Sequence, residues 1–130
     1  VIVVDASALL EFLLRTPAAS AVEERLFSAG EALHAPHLVD LEIAQVLRRY
    51  VRGGQMPAGR GREALDDLGA LRLARWPHDA LLPRVWALRA NLTAYDAAYV
   101  ALAEALDAPL VTRDRRLAAA PGLRARVEVL

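Results

Sequence analysis

Four acidic residues, Asp5, Glu42, Asp96 and Asp114, stand where ordinary surface charge explains them poorly. Asp5 directly follows Val1-Ile2-Val3-Val4. A short, β-branched, wholly apolar run reads as a strand buried on both faces, which puts Asp5 at the carboxyl end of a central strand. Open parallel sheets place their functional clefts there, although Asp5 could equally cap the helix that follows, with Ser7 assisting. Asp114 repeats this placement after Leu110-Val111-Thr112, and among Arg113, Arg115 and Arg116 it also reads as a turn aspartate neutralised by arginines. Helical spacing puts Asp96 beside Leu92, Tyr99, Val100 and Ala103, on or at the edge of a packing face. A carboxylate there is costly unless it is paired or bound to a metal. Glu42 lies one turn from Leu38 and Val46 of an apolar stripe, with Gln45 and Arg49 on its side. Taken alone, it is a partly exposed helix glutamate.

Two acids at strand ends and two on helix flanks can converge in one cleft. Carboxylates held together repel one another, and a hard divalent cation relieves the repulsion. Oxygen-only ligands point to Mg²⁺ or Mn²⁺. Zinc is disfavoured: the chain has no cysteine, and His34, His37 and His78 form no convincing ligand set. All four acids are therefore candidate catalytic residues and metal ligands, and the chemistry is that of a cation-activated water. Ser7 and Thr112, each two residues from its acid, are candidates to orient ligands from behind. The other acids read as structural: Glu23, Glu24, Glu63, Asp66 and Asp67 on solvated helix surfaces, Asp40 at a helix start and Asp79 as a cap.

The elements that must position these residues alternate in type. After the first strand, residues 7–14 read as a helix, Thr16-Pro17 breaks the chain, and residues 18–29 form a second helix closed by Gly30. Leu33-His34-Ala35 is a weak strand, and Pro36 suits the first turn of a helix running to about Arg52. Residues 55–61 read as a loop, 62–68 as a helix and 71–73 as a strand. Helices follow over 79–90 and 93–106, then a strand over 109–112, a short helix over 115–119 and a last strand over 127–129. Such alternation implies an α/β sandwich around a mostly parallel sheet of about four to five short strands. Residues 1–130 read as one domain, since 130 residues suffice for one core and not for two.

Composition narrows the function classes. With 55% hydrophobic residues the chain can fill a core without disulfides, and the lack of cysteine fits the cytoplasm. No apolar run approaches the roughly 18 residues of a membrane span. The apolar start has no basic segment before it and meets Asp5 at once, unlike a signal peptide. The chain begins without methionine, which leaves room for a residue or short leader ahead of it. Net charge is zero, with 16 basic and 16 acidic residues, so attraction to nucleic acid must come from a local patch. Every basic residue is arginine, a side chain suited to bidentate phosphate contacts. Arg113, Arg115 and Arg116, followed by Arg48 and Arg49, are the candidates to draw in a phosphate backbone; each could equally be a surface ion pair.

Val3-Val4-Asp5-Ala6-Ser7-Ala8-Leu9 resembles the opening motif of PIN domains. Residues 38–49, around Glu42, are similar to the second acidic motif of that family; residues 92–103, around Asp96, to the third; and residues 110–117, around Asp114, to the fourth. Each motif is weak alone, but the ordered set spans nearly the whole chain and is specific. The short single-domain form resembles the VapC-like toxins of type II toxin–antitoxin pairs. That resemblance implies a PIN fold with a central parallel sheet, a homodimer, and an antitoxin that inserts into or covers the active cleft. It also implies Mg²⁺- or Mn²⁺-dependent endonucleolytic cleavage of RNA, often tRNA or ribosomal RNA. One departure stands out: the second motif often has asparagine three residues after the glutamate, where this chain has Gln45. Glutamine keeps the amide on a longer stem.

Three rivals compete. A signalling receiver domain also binds Mg²⁺ beside a strand-end aspartate, but its chemistry normally uses a lysine, and none is present. A haloacid dehalogenase phosphatase wants a second aspartate where Ser7 stands. The third is a catalytically silent PIN-like module that binds RNA or protein; the intact acidic quartet argues against it. Leu10, Phe12 and Leu13 could form a dimer surface or be core.

Overall fold

The computed structural model describes residues 1–130. Its centre is a five-stranded sheet in the order β3-β2-β1-β4-β5, with every neighbouring pair parallel. The strands are β1 (Ile2–Val4), β2 (Leu33–Pro36), β3 (Leu73–Trp76), β4 (Leu110–Thr112) and β5 (Val127–Val129). Parallel neighbours cannot be joined by a tight turn, so every crossover carries helix. Between β1 and β2 lie α1 (Ala6–Leu13) and α2 (Ala19–Phe27); between β2 and β3, α3 (Leu38–Arg52) and α4 (Ala58–Ala70). A 3₁₀ turn (Asp79–Leu81), α5 (Leu82–Ala87) and α6 (Ala94–Leu106) lead to β4, and α7 (Arg115–Ala119) to β5. The expected α/β architecture is present, with five strands and all of them parallel.

The strand order explains where a site can form. From β1 the chain moves outward through β2 to β3, then returns across the sheet to place β4 on the other side of β1. The switch point therefore lies between β1 and β4, and a crevice opens beyond their carboxyl ends. Ile2, Val3, Val4, Leu110, Val111 and Thr112 are all fully buried, so these two strands form the middle of the core. On the helical layers, α1 packs against α2, α3 and α4, whereas α6 lies on β1, β2 and β4 and against α5. Leu13 is buried, and Leu10 and Phe12 are partly buried against the core, with the Phe12 and Phe27 rings 5.1 Å apart. These early-helix residues are core.

Several boundaries differ from the sequence expectation. Pro36 ends β2, paired in register with Trp76, instead of opening the next helix. α4 starts at Ala58, so the expected loop at 58–61 is helical. Gly61 is tolerated inside that helix because a Cβ there would approach Val51 Cγ2 to 3.3 Å, where α3 and α4 come close. β3 runs from Leu73 to Trp76, further along than the alternation at 71–73 suggests, because Leu73 is the residue that pairs with Leu33. The helix expected over 79–90 divides into a 3₁₀ turn and the short α5. Pro83 has no N–H to bond the Asp79 carbonyl, so an α-helix cannot run through from Asp79. Asp79 is not a cap; His78 holds that position. Asp40, in the first turn of α3, pairs bidentately with Arg75 at 2.7 and 2.9 Å.

Candidate active site

Asp5 is the most confined of the four acids, only 8% exposed. It caps α1: its Oδ1 accepts from the Ala8 amide at 3.1 Å and from Ser7 Oγ at 2.6 Å. Its Oδ2 accepts from Thr112 Oγ1 on β4. Both hydroxyls then act a second time as acceptors. Ser7 Oγ takes the Arg113 amide at 2.9 Å, and Thr112 Oγ1 takes the Asp114 amide at 3.0 Å. The turn after β4 is thereby tied to the carboxylate after β1 through two one-hydroxyl bridges. Asp114, held in that turn, caps α7 by accepting the Arg116 amide at 2.9 Å.

Glu42 and Asp96 approach from helices. Asp96 lies in the first turn of α6, which Thr93 caps by accepting the Asp96 amide at 3.2 Å. Glu42, on α3, accepts a 2.6 Å hydrogen bond from the hydroxyl of Tyr99 on α6. Glu42 and Asp96 are half-buried.

The electrostatics join the four. Burial raises the Asp5 carboxyl above its usual range, against the bonds from Ser7, Thr112 and Ala8, and the charge of Asp96 pushes the same way. Glu42 is raised by burial, and by Asp5 and Asp96, while the Tyr99 bond opposes the shift. Asp96 is raised by burial and by Asp114, with Thr93 and Arg116 opposing. Each carboxylate is thus within reach of another's field. No three acidic or histidine side chains stand close enough to cage an ion by themselves. Their partners explain the spacing: both Asp5 oxygens are engaged, Asp114 faces α7, and one oxygen of Glu42 is held by Tyr99. Mg²⁺ keeps several of its waters and takes one or two carboxylates directly. Neighbouring carboxylates whose like charge Arg116 and the local hydrogen bonds relieve only in part therefore fit a hydrated hard cation.

The remaining candidates divide. Ser7 and Thr112 are bonded to Asp5. Gln45 is exposed and makes no hydrogen bond to Glu42; it lines an adjoining groove of about 530 Å³. The walls of that groove include Leu10, Leu38, Leu41, Val46 and Tyr95, with Glu42 at its acidic side and Arg49 also on its lining. Arg116 lies 3.6 Å from Asp114. The Arg113 guanidinium is turned to the Leu130 carbonyl and to Glu11, so this residue serves the cleft through its backbone amide instead. Arg48 and Arg115 are exposed and form no ion pair. Sequence reasoning missed Tyr99 and Thr93 as site residues. The signals were present: Tyr99 is one helical turn after Asp96, and Thr93-Ala94-Tyr95-Asp96 is a capping pattern.

The PIN domain family matches residues 2–123. Ribonuclease VapC9 of Mycobacterium tuberculosis is 52% identical over 116 residues, covering 89% of this chain and 87% of its own. Among solved structures, PAE2754 from Pyrobaculum aerophilum superposes with a TM-score of 0.71 at 28% identity, covering 98% of this chain and 83% of that one. A toxin–antitoxin complex from Klebsiella pneumoniae gives a TM-score of 0.68 at 20% identity, covering 99% and 97%, a likeness of fold. Matched by family over nearly its whole length and by a curated ribonuclease at half identity, this chain belongs to the PIN-domain family, in its VapC ribonuclease branch.

Proposed function

We infer that this protein is a divalent-metal-dependent endoribonuclease, the toxin of a toxin–antitoxin pair, acting on structured cellular RNA such as tRNA or ribosomal RNA. The observation that supports this reading is that Asp5, Glu42 and Asp96, near the β1–β4 switch point, raise one another's carboxyls, a repulsion that their hydrogen bonds and Arg116 relieve only in part. Asp5, Asp96 and Asp114 would hold Mg²⁺ or Mn²⁺, with Glu42 completing the site directly or through water. When bound, the cation supplies charge neutralisation for the scissile phosphodiester and a more acidic water. The chain's own residues do the rest. Ser7 and Thr112 fix the Asp5 carboxylate, Thr93 anchors the turn that carries Asp96, and Glu42 offers an oxygen to a water in the cleft. Arg116, 3.6 Å from Asp114, and Arg49, which lines the same groove as Glu42, would meet the RNA backbone.

The groove beside Glu42 supports the antitoxin as a partner. Leu41 is 76% exposed and Tyr95 65% exposed, a large apolar surface to leave open beside a catalytic cleft. An antitoxin segment with apolar side chains in the groove and a basic side chain toward the carboxylates would cover the site and neutralise its charge. A homodimer is the assembly the family resemblance implies, and sedimentation equilibrium tests it. No helix is long and apolar enough to cross a membrane.

The deciding experiment incubates purified protein with total cellular RNA in Mg²⁺ or Mn²⁺ and then in EDTA, alongside Asp96→Asn. Discrete fragments requiring both metal and Asp96 are expected, and end-mapping identifies the RNA. RNA binding without cleavage by the wild type, in either metal, would favour the silent binding module.

A further inference from the structure

Resting on that ribonuclease reading, we propose that Tyr99 is a positioning residue for Glu42, its phenol holding Oε1 so that Oε2 is the oxygen offered to cation or water. Tyr99 is 2% exposed, and a buried phenol needs a partner for its hydroxyl. That partner is Glu42, whose side chain makes this hydrogen bond, 2.6 Å long, and no other. The residue that local sequence would assign to the task, Gln45, is exposed and does not reach it. Two elements therefore meet at one oxygen: α6 through the ring itself and α3 through Glu42. Asp96 and Tyr99 are one turn apart on α6, so placing one carboxylate in the cleft also delivers the hydroxyl that orients another. A packing role alone would need the ring and not the hydroxyl.

The test uses the full chain as wild type, Tyr99→Phe, Glu42→Ala and the double variant. Mn²⁺ affinity is read by titration calorimetry and single-turnover RNA cleavage by gel. Loss of one orienting partner behind a metal site typically costs about 10-fold or more, so Tyr99→Phe should weaken Mn²⁺ binding or cleavage by about that factor, with KM for RNA changed less than about twofold. In the Glu42→Ala background, Tyr99→Phe should have no further effect. Wild-type affinity and rate in Tyr99→Phe, or fully additive effects in the double variant, would overturn the proposal. Should Tyr99→Phe fold poorly, tyrosine difference absorption on adding Mn²⁺ puts the same question to two other proteins. A band expected in the wild type and absent in Glu42→Ala supports the proposal, and equal bands in both overturn it. A wild type that binds Mn²⁺ but cleaves no RNA would defeat the ribonuclease reading by itself, and Mn²⁺ affinity would still decide the role of Tyr99.

Discussion

Thr112, at the end of β4, donates its hydroxyl to the carboxylate of Asp5, 107 positions earlier in the chain, and accepts the amide of Asp114. One fully buried oxygen thus connects two acids that stand at the ends of neighbouring strands. Thr112→Val keeps the shape but leaves Asp5 Oδ2 and the Asp114 amide without their partner. Unmade buried hydrogen bonds cost about 1–3 kcal/mol, so unfolding in urea should show a loss of about 2 kcal/mol. Metal-dependent cleavage should fall as well. A variant as stable and active as the wild type would mean that Thr112 does not hold Asp5.

The raised carboxyls predict a pH dependence. For an acid whose pKa is higher folded than unfolded, the folded state binds the proton more tightly. Its favourable contribution is complete below the unfolded value, 3.8 for Asp96, and is lost as pH rises through the folded value. At neutral pH these acids therefore destabilise the metal-free protein. Asp96→Asn should raise the melting temperature, and more at pH 7 than at pH 5. Mn²⁺ should stabilise the wild type more at pH 7 than at pH 5, and Asp96→Asn less than the wild type. Calorimetric scans at both pH values check this, and a melting temperature lowered at pH 7 by Asp96→Asn would contradict the charge argument.

Glu104, paired with Arg84, carries the opposite sign. The Arg84 guanidinium bonds both oxygens of Glu104, at 2.7 and 3.1 Å, and also the Gly122 carbonyl at 2.8 Å, pinning the segment before β5 to α6. Burial raises the Glu104 carboxyl, but the bonds from Arg84 and the Arg124 amide outweigh it and hold the group below its usual range. Stability from this pair is therefore present above the unfolded pKa and lost as pH falls through the folded one. Arg84→Ala should cost about 1–2 kcal/mol near neutrality, less than for a fully buried pair because water still reaches it. The loss should shrink as pH falls below the unfolded carboxyl value of 4.5 and through the lower folded one, while cleavage per folded molecule at neutral pH stays unchanged. Urea unfolding at the two pH values measures the difference.

Leu41→Asp separates the cleft from the groove beside it. The side chain is largely exposed, so the fold should tolerate the change within about 0.5 kcal/mol. Metal-dependent cleavage should persist, while inhibition by the co-expressed antitoxin should weaken by about tenfold or more, as for loss of an interface anchor. Titration of cleavage against antitoxin reads this out; full inhibition would place the antitoxin elsewhere.

What the sequence determined by itself was local. An apolar β-branched run ending in Asp5, a second ending near Asp114, and a carboxylate among packing residues at Asp96 all follow from neighbours within a turn or a strand. The end of α3 at Gly53 was legible for the same reason, whereas α2 stops at Phe27 with Ser28 as its cap, short of the end expected at Gly30. The expectations that failed depended on partners far away. β3 begins at Leu73 because of its register with Leu33, and α4 keeps Gly59 and Gly61 helical because it packs on α3. The tertiary structure alone decided the strand order that opens the β1–β4 crevice. It also turned Arg113 toward Leu130 and left Gln45 in the groove. The bond between Glu42 and Tyr99, 57 positions apart, belongs to the same level. Local pattern selects which face a residue presents; which oxygen of a carboxylate is engaged depends on elements brought together by the crossovers, and no spacing within one segment encodes that.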